Sequence, residues 1–413
     1  MRERTLAEDA AWRRRAQAVI PNGMYGHQSA RGLPEGFPQF LDGGSGCHIR
    51  DVDGNEYIDF MCSYGPIILG HAHPKVEEAA RAQLSRADCQ NGPAPVMVEL
   101  AELLVATVGH AGWAMFAKNG TDATTMCVTI ARAATGKRKV LVAEGAYHGA
   151  APWCTPVPAG VVAEDRAHLV TYKYNDLQYA TAAAERCWDD LAAIVVSPFR
   201  HDARVDQEMV DPAFARHLRE ICDSTGAALI LDEVRAGFRL TQGSSWQSIG
   251  VEPDLSAWSK AIANGYPLSA VLGGDHFREA AGRIFVTGSF WFSAVPMAAA
   301  VATIHELRDL RAQSLMQRTG SRLVEGLASQ ARSHSLGITL SGPPQMPFMT
   351  FSGDEKFAMA NVWSATAARR GAYFHPWHNW FLSAAHSDED IDRALDATEE
   401  AFAEVRRRFG HGG

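Results

Sequence analysis

The chain has 413 residues, of which 46% are hydrophobic and 21% charged, with a formal net charge of −8. That length accommodates two domains, or one large domain with a smaller one, and the balance is that of an ordinary globular protein. An acidic chain offers no electrostatic footprint for nucleic acid or an anionic membrane, and no apolar run approaches membrane-spanning length. Its seven cysteines are scattered without a Cys-x-x-Cys pair, which argues for a reducing compartment and against a disulfide framework or a zinc site. The opening stretch MRERTLAEDAAWRRR is charged throughout and lacks the apolar core of a signal peptide, so the expectation is a cytoplasmic protein.

Residues 1–20 read as a helix with a partly apolar stripe, on which Arg13, Arg14 and Arg15 form a solvated face. Pro21-Asn22-Gly23 ends it, and Met24–Pro38 reads as a loop. Residues 39–60 predict a small antiparallel meander. In it Gly43-Gly44-Ser45-Gly46 is turn chemistry, and Asp53-Gly54-Asn55-Glu56 connects a hairpin. His71 and His73 read as part of a turn before a helix at Pro74, because no carboxylate or cysteine accompanies them at metal-ligand spacing. From there helices alternate with short apolar strands. Helices are expected over 74–86, 96–108, 122–135, 175–187, 211–225 and 294–310, and strands over 113–117, 138–143, 167–171, 191–196, 228–232 and 268–273. Such alternation predicts an α/β sheet covered on both faces. Beyond residue 311 the pattern becomes α+β, with helices near 311–331, 355–370 and 388–409. Strands are expected near 337–341, 347–352, 372–374 and 380–384.

The stretch 229–260 concentrates the chemistry. Leu229-Ile230-Leu231-Asp232-Glu233-Val234 is an apolar run ending on two acids, which reads as a buried parallel strand with Asp232 at its carboxyl end, where open α/β sheets bind ligands. A second short apolar segment ends on Trp258-Ser259-Lys260. Pyridoxal phosphate chemistry needs both residue types: an amine to form the Schiff base, and an acid to keep the ring nitrogen protonated so that the ring is an electron sink. A third segment, Phe116-Ala117-Lys118-Asn119-Gly120-Thr121-Asp122-Ala123, has a strand, a Gly-containing turn and a helix start, where free backbone N–H groups bind a phosphate well.

LDEVRAGFR followed by PDLSAWSKAIANGYPLSAVLGG resembles the core of the class III aminotransferases. Together with DVDGNEYIDF, SYGPIILGHAHPKV and SAAHSDEDID, it looks most like their glutamate-1-semialdehyde aminomutase-like branch. The resemblance covers nearly the whole chain. It implies a fold type I PLP-transferase, with a large, mainly parallel-sheet domain, helices on both faces and a smaller α+β domain. The implied division is 1–60 in the small domain, 61–310 as the large cofactor-binding domain and 311–413 as the small C-terminal domain. It implies Lys260 as the Schiff-base lysine and Asp232 as the partner of the ring nitrogen. Asn119, Gly120 and Thr121 would bind the cofactor phosphate, in a motif that lacks the family's Ser and carries Asp122 for Glu. Tyr147 and Val234 would cover the two ring faces, and His148 would support the site from behind. Ser289 falls where the family has a Thr that reaches the neighbouring subunit's cofactor phosphate, so the expected assembly is a homodimer with shared sites. Arg31, Tyr64 and His378 are the candidate substrate residues, and no metal is implied.

The departures bear on substrate. The family's Glu-Pro is Ser197-Pro198 here, followed by Phe199-Arg200-His201-Asp202. Arg235 stands where a small or neutral residue is usual, and His378 stands where the aminomutases have an acid. The expected reaction is transfer of an amino group from an amino acid or amine to a carbonyl acceptor. The alternative is an aminomutase or racemase acting through the same intermediate.

Overall fold

A computed structural model describes residues 4–410. The chain forms two compact units: residues 74–202 with 207–313, and residues 4–73 with 203–206 and 314–410.

The first of these units is built on a seven-stranded sheet. Its strands, in chain order, are β1 (Trp113–Ala117), β2 (Lys139–Ala143), β3 (Leu169–Tyr172), β4 (Leu191–Val196), β5 (Ala228–Asp232), β6 (Leu255–Trp258) and β7 (Ser269–Gly273). They lie in the order β1-β7-β6-β5-β4-β2-β3. β5 runs parallel to β4 and β6, and β2 parallel to β3 and β4, whereas β7 is antiparallel to both its neighbours. Every residue of β4, β5, β6 and β7 is buried, which is why these strands read as unbroken apolar runs instead of alternating ones. β4 and β5 pack Ile194, Val196, Leu229 and Leu231 into one core, with Phe214 and Leu218 of the helix Pro212–Thr225. The helix Gly120–Thr135 buries Ala123, Cys127, Ile130 and Ala131 in the core that also holds Val195, Ile230 and Ala257.

The strand β6 forms because its apolar run is flanked by Asp254, whose carboxylate accepts from the Leu229 N–H at 2.7 Å, and by Ser259. The sequence offers Leu255–Trp258 only as a short apolar segment, and two other small elements are not anticipated at all: the helix Arg278–Arg283 and the two-residue pairing of Phe199–Arg200 with Glu208–Met209.

The other unit contains a four-stranded sheet. Leu41–Ser45, His48–Asp51 and Glu56–Asp59 form the expected meander, and Ala372–Tyr373 adds in parallel to Glu56–Asp59. Gly43, Gly44 and Ser45 lie within the first strand, after an irregularity between Leu41 and Gly43, and not in a turn; pairing with Arg50, Ile49 and His48 satisfies their backbone. The first helix is Ala7–Val19. Its start is capped from a distance, because Asp53 accepts from the N–H groups of Glu8 and Asp9 at 3.0 and 2.9 Å. Arg13 is not a solvated residue: Asp9, itself buried, takes its guanidinium, which also donates to the Phe37 carbonyl. The segment 380–384 forms no strand. Its N–H groups go to unconnected partners, Trp380 to Pro347, Phe381 to Phe60, Leu382 to Gln345 and Ala384 to Ile68, so no ladder builds up. No helix among the described residues is long and apolar enough to cross a membrane.

Candidate active site

The carboxyl end of β5 delivers Asp232. The residue is 5% exposed, and both oxygens are engaged: Oδ1 accepts from the Val234 N–H at 3.1 Å and Oδ2 from His148 Nδ1 at 2.7 Å. Because the carboxylate can only accept, the imidazole proton sits on Nδ1 and Nε2 is the basic nitrogen. Nε2 is buried and has no hydrogen-bond partner. His148 is held in turn from the helix Gly120–Thr135, where Thr124 donates its hydroxyl to the His148 carbonyl at 2.7 Å. This chain of contacts fixes the rotamer and the tautomer that present Asp232, and Thr124 is a member that the sequence did not single out.

The start of that helix is the second element. Asp122 reaches back to the N–H of Asn119 at 2.9 Å, so the shorter acid does what the family's Glu does in a capping box. The amides of the first helical residues, Gly120 and Thr121, have no partner within the helix by its geometry, and the macrodipole adds positive charge there. Thr121 accepts from the Ala150 N–H at 3.0 Å, which leaves its hydroxyl hydrogen to donate. Two glycines make the cradle. A Cβ on Gly120 would stand 2.6 Å from Val234 Cγ1, and one on Gly149, at φ +127°, would stand 2.5 Å from Thr121 Oγ1. The glycines therefore let Val234 and Thr121 close on the same place.

Lys260 follows β6 and Ser259, whose hydroxyl donates to the Leu268 carbonyl at 2.8 Å. Lys260 has φ +47°, a left-handed backbone that a residue with a side chain adopts at a cost of about 1–2 kcal/mol. Its amine is pulled down to a pKa of about 7, first by burial and then by the Arg235 guanidinium, with Asp232 acting in the opposite direction. A large fraction of it is neutral at physiological pH, unlike an ordinary lysine. Tyr147 is 37% exposed, and burial of its ring still pushes its phenol up.

Next to Asp232, Glu233 points the other way. It is 1% exposed and accepts from the Ser245 N–H and hydroxyl, both at 2.6 Å, and from the Ser244 hydroxyl at 3.3 Å. Burial nevertheless raises its pKa to about 7. It ties the turn that carries Val234 and Arg235 to residues 244–245.

A search of family models matches residues 33–339 to the one described as "Aminotransferase class-III". The chain belongs to the class III aminotransferases. It is similar to an aminopentol aminotransferase of Sphingopyxis macrogoltabida, 49% identical over 96% of this chain and 94% of that protein. A 3-aminobutyryl-CoA aminotransferase of Cloacimonas acidaminovorans is 30% identical over 97% of this chain and 98% of the other. A glutamate-1-semialdehyde 2,1-aminomutase of Brevibacillus brevis is 32% identical over 94% and 96%. Among solved structures, the FumI protein of Sphingopyxis sp. MTA144 in its PLP internal aldimine form matches with a TM-score of 0.96 and 48% identity over 98% of both chains. A transaminase with PLP bound matches with a TM-score of 0.89 and 26% identity over 97% of this chain and 98% of the other. As a class III aminotransferase the protein uses pyridoxal phosphate, and the donor set fits that group. A buried acid can face a pyridinium, helix-start amides and a hydroxyl can face a phosphate, glycines clear the space, and a partly deprotonated lysine can face an aldehyde.

Asn119, Gly120, Thr121, Tyr147, His148, Asp232, Val234, Lys260 and Ser289 all fall in the unit built on the seven-stranded sheet. Ser289 is exposed, in an irregular stretch with Phe285 91%, Phe290 68% and Phe292 40% exposed. Arg31, Tyr64 and His378 fall in the other unit. There Tyr64 and His378 meet edge to face with ring centroids 5.2 Å apart, and the Tyr64 hydroxyl donates to the His27 carbonyl at 2.9 Å. Tyr64 closes a turn in which Cys62, Ser63 and Tyr64 all have left-handed backbones, at φ +46°, +55° and +63°. Arg31 is exposed, and its guanidinium donates to Asn22 Oδ1.

In that same unit His71 donates to Asp59 at 2.8 Å, a carboxylate partner that sequence spacing did not anticipate. Cys47, His48 and Asp390 offer donor atoms within 4.8 Å of one another. Burial and Asp390 push the Cys47 thiol up.

Proposed function

We propose that Lys260 carries the cofactor as a Schiff base and moves the proton in amino transfer. The observation behind this is a lysine of pKa about 7 in the unit where His148 clamps Asp232. When bound, pyridoxal phosphate supplies the electron sink that makes the donor's Cα–H acidic. The chain's own residues do the rest. Asp232, locked by His148 and the Val234 N–H, holds a proton on the ring nitrogen. Gly120, Thr121 and the Asn119 turn bind the phosphate. Tyr147 and Val234 cover the ring faces, which leaves proton transfer to the Lys260 amine, a base whose pKa is near the working pH.

The donor in this reading is a polyhydroxylated amine, by analogy with the relative named for aminopentol, at 49% identity. Arg31, Tyr64 and His378 are proposed as substrate residues. The assembly is proposed to be a homodimer in which Ser289 reaches the partner's phosphate site, supported by the exposed Phe285, Phe290 and Phe292 around it. A cytoplasmic location fits seven cysteines that form no disulfide among the described residues.

The test is a half-reaction, in which holo-protein is mixed with a panel of amines and no acceptor while the cofactor absorption is followed. Stoichiometric conversion to the aminated cofactor with one donor class supports transamination and names the donor. Solvent deuterium entering the substrate with no net conversion supports the mutase or racemase alternative, whose aminomutase form has relatives at 32% identity. Lys260→Ala should slow turnover by about 10⁴-fold, the upper range for loss of an acid–base group. Normal multiple turnover in that variant would rule Lys260 out.

A further inference from the structure

At the carboxyl edge of the seven-stranded sheet the site residues fall in strand order. The cradle of Asn119, Gly120 and Thr121 follows β1, Lys260 follows β6, Asp232 ends β5, and Tyr147 and His148 follow β2. Between β5 and β2 lies β4, and the chain leaving it brings in His201. His201 is 5% exposed, and neither ring nitrogen has a hydrogen-bond partner. Its setting is nevertheless fixed. Its carbonyl accepts from Arg235 Nη1 at 2.8 Å, and Phe199 meets its ring edge to face with centroids 5.2 Å apart. A Cβ on Gly145 would stand 3.1 Å from Asp202 Oδ2, so this segment closes on the turn that carries Tyr147 and His148. Burial and then the Arg235 charge push the imidazole pKa well down. His148 and Lys260 act in the same direction, against its own carbonyl. The ring is therefore neutral, with one N–H to give, and a buried polar ring left unmet costs free energy.

We propose that His201 donates a hydrogen bond to the phenolic oxygen of bound pyridoxal phosphate. This rests on the reading of Lys260 given under Proposed function. The layout of the cofactor supports it. Its ring nitrogen and its aldehyde carbon lie at opposite ends of the ring, and the phosphate arm and the phenolic oxygen flank the aldehyde on opposite edges. With the nitrogen at Asp232, the aldehyde at Lys260 and the phosphate on the β1 side, the phenolic oxygen falls on the β4 side, where His201 stands. That oxygen carries negative charge and needs a donor, whereas the acids that act on Arg235, Asp202 and Asp232, only accept. The contact has a consequence for Lys260. The phenolic anion attracts the Schiff-base proton, so a donor that stabilises the anion loosens its hold, and the proton leaves at a lower pH.

The test is a pH titration of the visible absorption band of holo-protein at saturating pyridoxal phosphate, which reads the Schiff-base proton without turnover. His201→Phe keeps an aromatic ring and removes both nitrogens. Its midpoint should rise by about one pH unit, a tenfold change in proton affinity and the size of a hydrogen bond to a charged group. His201→Gln, which restores an N–H donor, should recover at least half of that shift. Arg235, His148, Asp232 and Glu233, whose pKa of about 7 lies in the same range, are common to all the variants and drop out of the difference. A midpoint in His201→Phe within about 0.3 pH unit of wild type, a twofold change in proton affinity, overturns the proposal. Weaker cofactor binding with an unmoved midpoint assigns His201 to packing and overturns it as well. If His201→Phe fails to fold, His201→Leu is read by the same criterion. Borohydride reduction of wild type and mass analysis of its peptides tests the underlying reading separately. Cofactor fixed to a lysine other than Lys260 defeats that reading, whereas cofactor on Lys260 with an unmoved midpoint defeats only the role of His201.

Discussion

The two ends of the site are built on opposite terms. At the acid end, Asp232 has every oxygen engaged by His148 and the Val234 N–H, and His148 is itself held by Thr124. At the cation end, Lys260 is strained, partly deprotonated and near Arg235, and His201 has neither nitrogen satisfied. A group that only has to hold one charge state through the cycle can be locked by its neighbours. A group that must bind, release and carry protons cannot. On the roles proposed for Asp232 and Lys260, the preorganised part of the site is the one whose task stays the same through the cycle.

That contrast can be broken from either side. The largest effect is expected from Asp232→Asn, which keeps the shape and removes the charge proposed to hold the ring proton. Turnover should fall by about 10²–10³-fold, a loss comparable to removing one preorganised electrostatic partner. Steady-state kinetics on cofactor-saturated protein measures it, and a loss of less than about threefold would mean that the acid end is scaffold only.

The next effect concerns pH. Only the neutral amine attacks an aldehyde, and Lys260 has its pKa lowered to about 7 from an ordinary 10.5. The rate at which apo-protein takes up pyridoxal phosphate covalently should rise about tenfold per pH unit below pH 7 and level off above it. Stopped-flow absorbance gives the profile. A rate still climbing at pH 9 would show that burial and Arg235 do not tune the lysine.

The smallest effect falls on Glu233, which lies beside the acid end but outside its chemistry. Its folded pKa is raised from 4.5 to about 7, so the folded state binds more protons than the unfolded state between those values. Its contribution is fully present below pH 4.5 and is lost as the pH rises through 7, by an amount on the order of 3 kcal/mol. Urea midpoints taken from pH 5 to 8 should decline with that slope and flatten in Glu233→Gln. Parallel slopes in the two proteins would assign the pH dependence elsewhere.

The acid end was the legible one. Asp232, His148, Asn119 and Thr121 each sit inside a contiguous strand-to-turn or turn-to-helix motif, where local sequence states both the residue and its setting. The alternation of buried strands and amphipathic helices was legible for the same reason, since periodicity is local. The cation end was visible only as departures, Phe199-Arg200-His201-Asp202 and Arg235. Their convergence depends on the sheet placing β4 beside β5, which no local pattern states. The segment 380–384 has strand composition but no single strand to pair with.

The antiparallel strand β7 has a further consequence, in the order of assembly. Because β6 and β7 are antiparallel neighbours, the loop bearing Lys260 is closed by a contact between Ser259 and Leu268, only nine residues apart. The contact between His148 and Asp232 must close 84 residues. Loop-closure entropy grows with the logarithm of length, so the second closure costs about 2 kcal/mol more than the first. The lysine's loop is closed by a local contact. The acid clamp joins segments that only the assembled sheet brings together.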